Sequence, residues 1–477
     1  MKIYLISLCT IFSSLHLQAQ EKVSSPAETF TRKVITTGLF DPWEITYGPD
    51  SYLWITEAKG YQVSRINPQT GNKTLLLDLS TQKAFSNKPW PQGGLMGMAL
   101  HPQLLQGQPY VYLAYVYRFL GSKANLGGNY FRTKIVRYTY DVTAQTLNSP
   151  ATICDTLPGS TDHNGGRLLI ATINKRNYLF YSVGDMGAGQ FDNAARPNNA
   201  QNVQSYEGKI LRFNIQPDAD PDTVAAWIPN DNPFNSQTKQ SAVYSYGHRN
   251  PQGLAYTHIN NHSFIYTAEH GPFSDDEINL IEAGKNYGHP LVIGYNDDNY
   301  NGLSAGVTNH LKVAGKWHSS SPFIVSESAN AKALGNRYRD PIKSFNPSRN
   351  SFLQNIFKAT RAGAEPKPEW PSIAPSSVEL YTSDAIPGWR NSLLITTLKT
   401  GSLIRLQLNE SGKAVKEEAL TYFQSSNRYR DIAISADGNK IYLITDFSSV
   451  TSGPTKEDPQ SSSKKGAILE FTFDGKK

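Results

Sequence analysis

Apolar residues occur along this chain in short runs, and no window shows the period of a long helix. Six times, a run rich in Val, Ile, Leu, Tyr and Phe ends in a polar loop, and a second run carrying Gly or Arg follows. Apolar runs of about four to eight residues between turn residues are typical of buried strands. The six predicted strand pairs are 52–57 with 63–66, 110–117 with 134–138, 178–185 with 208–213, 264–268 with 277–281, 392–396 with 401–406, and 440–446 with 466–471.

Six degenerate units of paired strands favour an all-β fold, a six-bladed β-propeller with four-stranded antiparallel blades, because radial repetition protects most sheet edges. The spacing of the units is irregular, so periodicity alone leaves a large β-sandwich as the alternative. The interval 296–370 interrupts the rhythm, since it is polar and punctuated by proline, with one short helix predicted at 352–359. We interpret it as a loop insertion within a single domain that covers 21–477.

Composition agrees with many short strands joined by turns, since the chain has 26 Tyr, 36 Gly and 28 Pro. The formal net charge of +6 is spread without basic runs, which argues against nucleic acid as a partner. Residues 1–20 contain Lys2, then an apolar run, then Leu17-Gln-Ala-Gln20. They predict a cleaved signal peptide and a periplasmic or secreted protein without stable membrane insertion; an uncleaved N-terminal anchor is the alternative. Cleavage would leave Cys154 alone and exclude an intramolecular disulfide.

Two neighbouring segments concentrate groups that bind ions. In 244–256, the guanidinium of Arg249 and the amides of Asn250 and Gln252 share a Gly/Pro turn between apolar runs. The segment 269–279, Glu-His-Gly-Pro-Phe-Ser-Asp-Asp-Glu-Ile-Asn, holds three consecutive acids and the carbonyl groups of a Gly-Pro corner. A guanidinium fork suits a carboxylate ligand, and oxygen ligands suit calcium. Together they are what a carboxylate-rich, calcium-assisted cofactor would need.

A histidine on a glycine-rich turn is a candidate base. Asp162-His-Asn-Gly-Gly-Arg-Leu168 places His163 just ahead of a strand. A neutral imidazole there could take a hydroxyl proton near neutral pH, although an isolated loop histidine more often satisfies backbone groups.

A pentapeptide with two arginines occurs twice. In Asn427-Arg-Tyr-Arg-Asp431, Arg428 and Arg430 alternate onto one face of an extended segment that runs into a strand. The copy with Arg337-Tyr338-Arg339 is followed by Pro341 instead. The sequence therefore favours the copy at 427–431 as a cation pocket and leaves the copy with Arg337 and Arg339 without a role.

In their amino-acid sequence, these segments resemble the soluble quinoprotein glucose dehydrogenases of the glucose/sorbosone dehydrogenase family. The likeness covers nearly the whole chain after residue 20 and weakens between about residues 300 and 370. It implies an oxidoreductase that uses pyrroloquinoline quinone (PQQ) and calcium to oxidise a glucose-like aldose at C1 to the lactone, by base-assisted hydride transfer to the quinone. The electron acceptor stays unknown, and a homodimer is left open.

The resemblance also implies roles for individual residues. The catalytic set is His163 as base, Asp185 as the acid that orients it, and Arg249. The substrate set is Gln92, Asp162, Gln190 and Trp370. The cofactor set is Arg249, Asn250, Gln252, Ser372, Lys399, Arg428 and Arg430. The metal set comprises the carbonyls of Gly271 and Pro272 for an ion that grips the quinone, and a second, structural cluster of Glu277, Tyr287, Ile293, Tyr295, Asp297 and Glu327.

Departures from the family and rival functions bear on this interpretation. Ser372 stands where the family commonly has Thr, and the loop 363–369 lacks the expected aromatic pattern, which leaves the preferred sugar open. The acids Asp275, Asp276 and Asp298 could equally belong to a solvated loop. A calcium-dependent propeller hydrolase or lactonase would leave the predicted cofactor cations without a role. A non-catalytic propeller that binds carbohydrate or protein would have no use for a base with its orienting acid.

Overall fold

Six four-stranded antiparallel sheets form a six-bladed β-propeller, which confirms the predicted fold. The computed structural model describes residues 27–85, 92–122, 128–217, 225–307, 319–364, 369–448 and 464–476. The predicted signal peptide lies outside these residues. Within them, no helix is long and apolar enough to span a membrane.

Most blades are built from four strands that follow one another along the chain. The exceptions are blade 4, whose outer strand follows an inserted segment, and blade 6, which includes the first strand of the chain. Blade 1 consists of β2 (Pro42–Tyr47), β3 (Leu53–Glu57), β4 (Gln62–Ile66) and β5 (Lys73–Asp78); blade 2 of β6 (Leu95–Leu100), β7 (Tyr110–Ser122), β8 (Asn129–Asp141) and β9 (Thr146–Gly159); blade 3 of β10 (Leu168–Ile173), β11 (Arg176–Val183), β12 (Lys209–Asn214) and β13 (Val243–Tyr246). Blade 4 consists of β14 (Pro251–Ile259), β15 (His262–Glu269), β16 (Asp276–Ile281) and β19 (Lys343–Phe345); blade 5 of β20 (Pro375–Tyr381), β21 (Ser392–Thr397), β22 (Leu403–Gln407) and β23 (Leu420–Tyr422); blade 6 of β24 (Tyr429–Ile434), β25 (Lys440–Thr445), β26 (Ile468–Lys476) and β1 (Glu28–Thr36).

Both chain ends contribute to blade 6, and this closes the ring. The first strand, β1, pairs antiparallel with the last, β26, so that Arg32 lies opposite Phe471. The ladder hydrogen bonds therefore join the blade formed last along the chain to the segment that precedes blade 1.

The predicted strand pairs are the second and third strands of the six blades. Both faces of these strands are covered by neighbouring blades, and β3 and β21 are buried throughout. A cluster of buried side chains lies at each of the six blade–blade contacts. The outer strand β5 is half exposed and carries a mixed pattern. Burial on two faces explains why the inner pairs stand out as continuous apolar runs.

The interval 296–370 has more structure than the predicted loop insertion. It supplies β19, the outer strand of blade 4, and a two-stranded sheet of β17 (Leu303–Ser304) and β18 (Phe323–Ile324). Its helices are α1 (Glu327–Leu334) and α2 (Asn350–Ala362), and the predicted helix lies inside α2. Strands of two or three residues are too short to show a period, which is why the sequence did not predict them. Short 3₁₀ turns occur at Ser80–Gln82, Phe191–Asn193 and Gly335–Arg337.

Arg167 ties the blades together at the centre of the ring. Its guanidinium donates to Glu44 of blade 1 at 2.7 Å and to Asp431 of blade 6 at 2.8 Å. It also reaches the carbonyls of Gln252 in blade 4 at 3.0 Å and Ser376 in blade 5 at 3.3 Å. A peptide N–H of blade 2 donates to the same Glu44 carboxylate. Since Arg167 itself leads into β10 of blade 3, one buried cation connects all six blades.

Candidate active site

Loops of blades 3 and 4 bring four predicted site residues into one hydrogen-bonded chain. His163 Nδ1 lies 2.7 Å from Asp185 Oδ1. On the other side of the ring, His163 Nε2 lies 2.8 Å from Gln190 Nε2. The Gln190 carbonyl oxygen accepts from Arg249 Nη2 at 3.3 Å. All four residues are buried, so these contacts are sheltered from solvent.

The hydrogen bonds assign the proton of His163. Asp185 can only accept when ionised, so Nδ1 carries the proton and Nε2 keeps a lone pair. Because Arg249 donates to the Gln190 oxygen, the Gln190 N–H is turned towards that lone pair. His163 is therefore arranged to accept a proton at Nε2, with Asp185 placed to stabilise the imidazolium that forms.

Asp185 is held as a carboxylate by two imidazoles. Although burial opposes its charge, its electrostatic interactions and hydrogen bonds with His163 and His289 hold the pKa of Asp185 well below its usual range. His289 Nε2 lies 2.9 Å from Asp185 Oδ2, and the Gly187 N–H donates to Oδ1 at 2.9 Å. His289 was not predicted as a site residue, because its segment was assigned to the metal cluster and one histidine carries no spacing signal.

The backbone around His163 is tightly packed. His163 has a φ of 49°, a left-handed conformation that is uncommon for residues other than glycine. A Cβ on Gly184 would lie 2.0 Å from the His163 carbonyl oxygen, so this position requires glycine. The glycine after the Tyr-Ser-Val run thus lets the turn that holds Asp185 approach the turn that holds His163.

Two further residues of the predicted substrate set lie beside His163. The Gln92 N–H donates to the Thr161 carbonyl at 3.0 Å, and the Gln92 carbonyl accepts from Asn164 Nδ2 at 3.1 Å. Asp162 Oδ1 lies 3.8 Å from His163 Nε2, and burial raises the pKa of Asp162. The structure therefore brings Gln92, Asp162 and Gln190 to the turn that carries the candidate base.

Trp370, the fourth predicted substrate residue, has contacts of a different kind. Its ring packs edge-on against Phe273, with 5.1 Å between ring centroids. The Trp370 carbonyl accepts from Lys399 Nζ. This bond links a predicted substrate residue at the end of the interval 296–370 to a predicted cofactor residue of blade 5. Burial lowers the pKa of Lys399.

Arg249 is positioned by a buried array that the sequence did not reveal. The Glu269 carboxylate accepts from the Arg249 peptide N–H and lies 2.9 Å from His248 Nδ1. His248 Nε2 lies 2.9 Å from Ser245 Oγ. Ser245, His248 and Glu269 have the connectivity of a hydrolytic triad, but each is less than 4% exposed. A substrate could not reach the hydroxyl, so the array serves to hold the Arg249 turn.

Arg428 and Arg430 lie on one face of their segment, as the alternation predicted. Asp446 accepts from Arg428 Nε at 3.1 Å and from Arg430 Nε at 2.9 Å. Arg430 also donates to Gln252 Oε1 at 2.9 Å, which joins two predicted cofactor residues. Burial lowers the pKa of nearby Lys59 to about 8, with Arg430 adding to the effect. Two guanidiniums share one carboxylate here, which makes the region suited to an anion.

Asn250 lies between the base and this cationic region. Its Oδ1 accepts from the Gly165 N–H at 3.2 Å, and its Nδ2 lies 3.5 Å from His270 Nδ1. Burial, then the charges of Arg249 and other cations, hold the pKa of His270 well below its usual range, against an opposing contact with the Pro375 carbonyl. His270 is therefore a neutral ring in a cationic site, and sequence reasoning did not identify it.

The first arginine copy lies elsewhere in the fold. Arg339 pairs with Glu282 at the surface, and the Arg337 carbonyl accepts from the Asn286 N–H at 2.8 Å. These contacts hold the loop after β16, which is a structural role.

Asp275 and Asp276 are buried, so the alternative of a solvated loop is wrong for both. Asp276 accepts from the Gly271 N–H at 2.9 Å, the Ser372 hydroxyl at 2.8 Å and the Ile373 N–H at 2.7 Å. The turn needs acceptors for these buried donors, which draws the carboxylate inside. Asp276 thereby joins the Gly-Pro corner, predicted to bind metal, to Ser372, predicted to bind cofactor.

The predicted second metal cluster is only partly assembled from side chains. Glu277 accepts from the Gly294 N–H at 2.9 Å, and Glu327 accepts from the Ile293 N–H at 2.8 Å. Burial raises the pKa of Glu327 to about 7 and that of Glu277 well above its usual range. The carboxyl groups therefore flank one turn and are poorly hydrated.

The remaining members of this cluster do not complete a carboxylate cage. The Tyr287 hydroxyl donates to the Leu280 carbonyl at 2.6 Å, while Asp297 is exposed and Tyr295 is half-buried. In the part of the chain that the structure describes, no three His, Cys, Asp or Glu side chains converge as a metal site. A calcium ion in either predicted place stays a prediction.

Comparison with known proteins identifies the family. The Glucose / Sorbosone dehydrogenase profile matches residues 39–333 and 346–451. Quinoprotein glucose dehydrogenase B of Acinetobacter calcoaceticus is 32% identical over 486 residues, covering 98% of this chain and 95% of that protein. Aldose sugar dehydrogenase YliI of Escherichia coli is 27% identical, covering 89% of this chain and 92% of that protein.

A solved structure shares the fold. The PQQ-bound aldose sugar dehydrogenase of Streptomyces coelicolor has a TM-score of 0.60 and 23% identity, covering 94% of this chain and 100% of that chain. The family profile and the Acinetobacter relative show that this chain belongs to the glucose/sorbosone dehydrogenase family.

Proposed function

We propose that this protein oxidises a glucose-like aldose at C1 to the lactone, with PQQ as cofactor and calcium as its metal. Family membership supports an oxidoreductase that acts on sugars. The Acinetobacter relative is named a quinoprotein, and the Streptomyces structure is a PQQ-bound form. The observation that carries the proposal is the hydrogen-bonded pair of His163 and Asp185, with its lone pair on Nε2.

In the proposed mechanism, the sugar binds beside Gln92 and Asp162, and its C1 hydroxyl takes the place of the Gln190 N–H at His163 Nε2. His163 accepts the hydroxyl proton, and Asp185 stabilises the imidazolium. When bound, PQQ would supply the two-electron acceptor for the hydride that leaves C1. Arg249, fixed by Glu269 and connected to Gln190, places a positive charge next to the reacting groups.

The residues present fit a cofactor with three carboxylates. Arg428 and Arg430 would hold a carboxylate, since both donate to Asp446 and this places two guanidinium groups side by side. Lys399 and Ser372 would bind from blade 5, and Asn250 and Gln252 would supply amides from blade 4. Calcium would lie at the carbonyls of Gly271 and Pro272, because hard cations prefer oxygen ligands. There it would polarise a carbonyl group of the cofactor.

The proposal is tested by reconstituting purified apoprotein with PQQ and calcium and screening aldoses with an artificial electron acceptor. We expect turnover that requires PQQ, is lost to a strong chelator and returns with calcium. Full activity in calcium-free protein would contradict the metal's role. Lactone hydrolysis without PQQ would favour the hydrolase instead, and sugar binding without turnover would favour a binding propeller.

The two arginine copies give a matched test of the cofactor site. Replacing Arg428 or Arg430 with Ala should weaken PQQ binding by about tenfold or more, because a charge-assisted hydrogen bond contributes about 1.5 to 3 kcal/mol. The measurement is a titration of apoprotein with PQQ followed by fluorescence or calorimetry.

The control variants are Arg337→Ala and Arg339→Ala in the other copy. Arg339 pairs with Glu282 at the surface, so neither change should alter PQQ affinity. The reverse order of effects would show that the cofactor does not bind over blade 6.

We further propose that residues 1–20 are removed on export and that the protein works in the periplasm or outside the cell. N-terminal sequencing of protein recovered from an exporting host should begin at residue 21. Recovery of the intact chain in the membrane fraction would favour an N-terminal anchor.

A further inference from the structure

We propose that His289 is a positioning residue for the reaction, which clamps the far side of the Asp185 carboxylate and so keeps the proton of His163 on Nδ1. This inference rests on the proposed function for its catalytic meaning, although its structural part can be measured without cofactor or sugar. His289 comes from the loop after β16 in blade 4, whereas His163 and Asp185 belong to blade 3. The contact between His289 and Asp185 therefore joins blades 3 and 4 beside His163, the candidate catalytic base.

The two carboxylate oxygens of Asp185 have different partners. Oδ1 accepts from His163 Nδ1 at 2.7 Å and from the Gly187 N–H at 2.9 Å. Among the described residues, the hydrogen bond to Oδ2 comes from His289 Nε2, at 2.9 Å. Asp185 is 1% exposed, so solvent cannot replace that bond. Without His289, a buried carboxylate oxygen would lose its donor, and the carboxylate would be free to rotate or take up a proton.

The surroundings assign the proton of His289 to Nε2. Asn198 Nδ2 also lies 3.2 Å from Nε2, and it is a donor that would favour a lone pair there, because Asn198 Oδ1 accepts from the Ala200 N–H. The Asp185 carboxylate is the nearer partner of Nε2, at 2.9 Å, and it is charged, so it decides the tautomer. A lone pair on Nε2 would face the Asp185 carboxylate and repel it. The ring N–H directed at Oδ2 is the arrangement that satisfies the buried charge. Nδ1 of His289 makes no hydrogen bond within the described residues, so the ring bonds through Nε2.

The main chain holds the ring in this position. The His289 N–H donates to the Gly247 carbonyl at 3.0 Å, and its carbonyl accepts from Gln201 Nε2 at 2.7 Å. Gly247 lies next to His248, within the array that fixes Arg249. One loop therefore supports the base through His289 and adjoins the turn that bears Arg249.

The test compares His289→Phe, which removes the donor and keeps a ring, with His289→Gln, whose amide N–H can replace Nε2–H. Side-chain nitrogen NMR of apoprotein labelled at histidine reports each tautomer, and the chain has only 10 histidines. Wild-type protein should show His289 protonated on Nε2 and His163 protonated on Nδ1. His289→Phe should convert His163 to a mixture of tautomers, and His289→Gln should restore the single form.

A buried control separates positioning from general damage. His101 is buried in blade 2, where its Nδ1 accepts from the Gln103 N–H at 3.1 Å. His101→Phe should leave the His163 tautomer unchanged even if it lowers the melting temperature.

The kinetic readout is a split between kcat and KM in the reconstituted enzyme. His289→Phe should lower kcat by about tenfold to a hundredfold, with little change in KM and with rescue by glutamine, because a hydrogen bond to a buried charge is lost. An unchanged His163 tautomer in folded His289→Phe, or a wild-type His289 protonated on Nδ1, would overturn the inference. Since the tautomers are measured without PQQ, a failure of the proposed function would appear separately, as absent sugar oxidation.

Discussion

His163→Gln should lower the turnover of the reconstituted enzyme by about two to four orders of magnitude while leaving PQQ affinity nearly unchanged. The expected loss is that of a general base, because glutamine has no lone pair on a basic nitrogen with which to accept the hydroxyl proton. Its amide can still form hydrogen bonds with Asp185 and Gln190, so the surrounding structure should persist. Stopped-flow reduction of bound PQQ by the sugar measures the step directly.

Cofactor affinity decides whether His163 has this role. Arg428 and Arg430 both donate to Asp446, and His163 takes no part in that pairing, so a titration with PQQ should give similar curves for variant and wild type. His258→Gln, at an exposed position on β14, is the matched control and should keep full turnover. A loss of PQQ affinity as large as the loss of turnover would move His163 out of the role of base.

Arg167→Met should lower the free energy of unfolding by about 3 to 5 kcal/mol, the range for removing one partner of a buried ion pair. Methionine fills much of the space of the arginine stem, so the loss should come from the charge and not from a cavity. Among the described residues, the Asp431 side chain would keep its bond from the Ile45 N–H, at 2.8 Å, as a buried carboxylate without its cation. Urea unfolding followed by tryptophan fluorescence gives the measurement.

The control for Arg167 is an exposed pair on blade 5. Arg390 contacts Asp384, and their side chains are 58% and 75% exposed. Arg390→Met should therefore change the free energy of unfolding by less than about 1 kcal/mol. Adding Asp431→Asn to Arg167→Met should cost less than the sum of the single changes, because the second change removes the stranded charge. Equal effects of Arg167→Met and Arg390→Met would show that the central cation does not join the blades.

Local patterns predicted much of this fold. Each blade contributes a pair of inner strands buried on both faces, and this leaves apolar runs that a sequence can display. The helix predicted at 352–359 lies inside α2, which has one buried face in the structure. Outer strands such as β19, with three residues, have no period to detect. The closure of blade 6 by β1 joins the two ends of the chain, and no local pattern encodes that pairing.

The candidate site divides in the same way. Resemblance supplied the residue types, and the structure places Asp162, Asp185, Gln190 and Arg249 around His163. The resemblance did not identify His289, because a lone histidine has no distinctive spacing. It also left open whether Asp275 and Asp276 were solvated, since burial depends on donors that come from other loops.

The strand pairs could be predicted from neighbours along the chain, and the resemblance of short segments to one family supplied the candidate residues. The tertiary structure decided which groups meet: the second imidazole on Asp185, the sharing of Asp446 by two guanidiniums and the central position of Arg167. Each of these is a contact between residues far apart in sequence. Their charges and proton positions depend on burial, and burial exists only once the blades have packed.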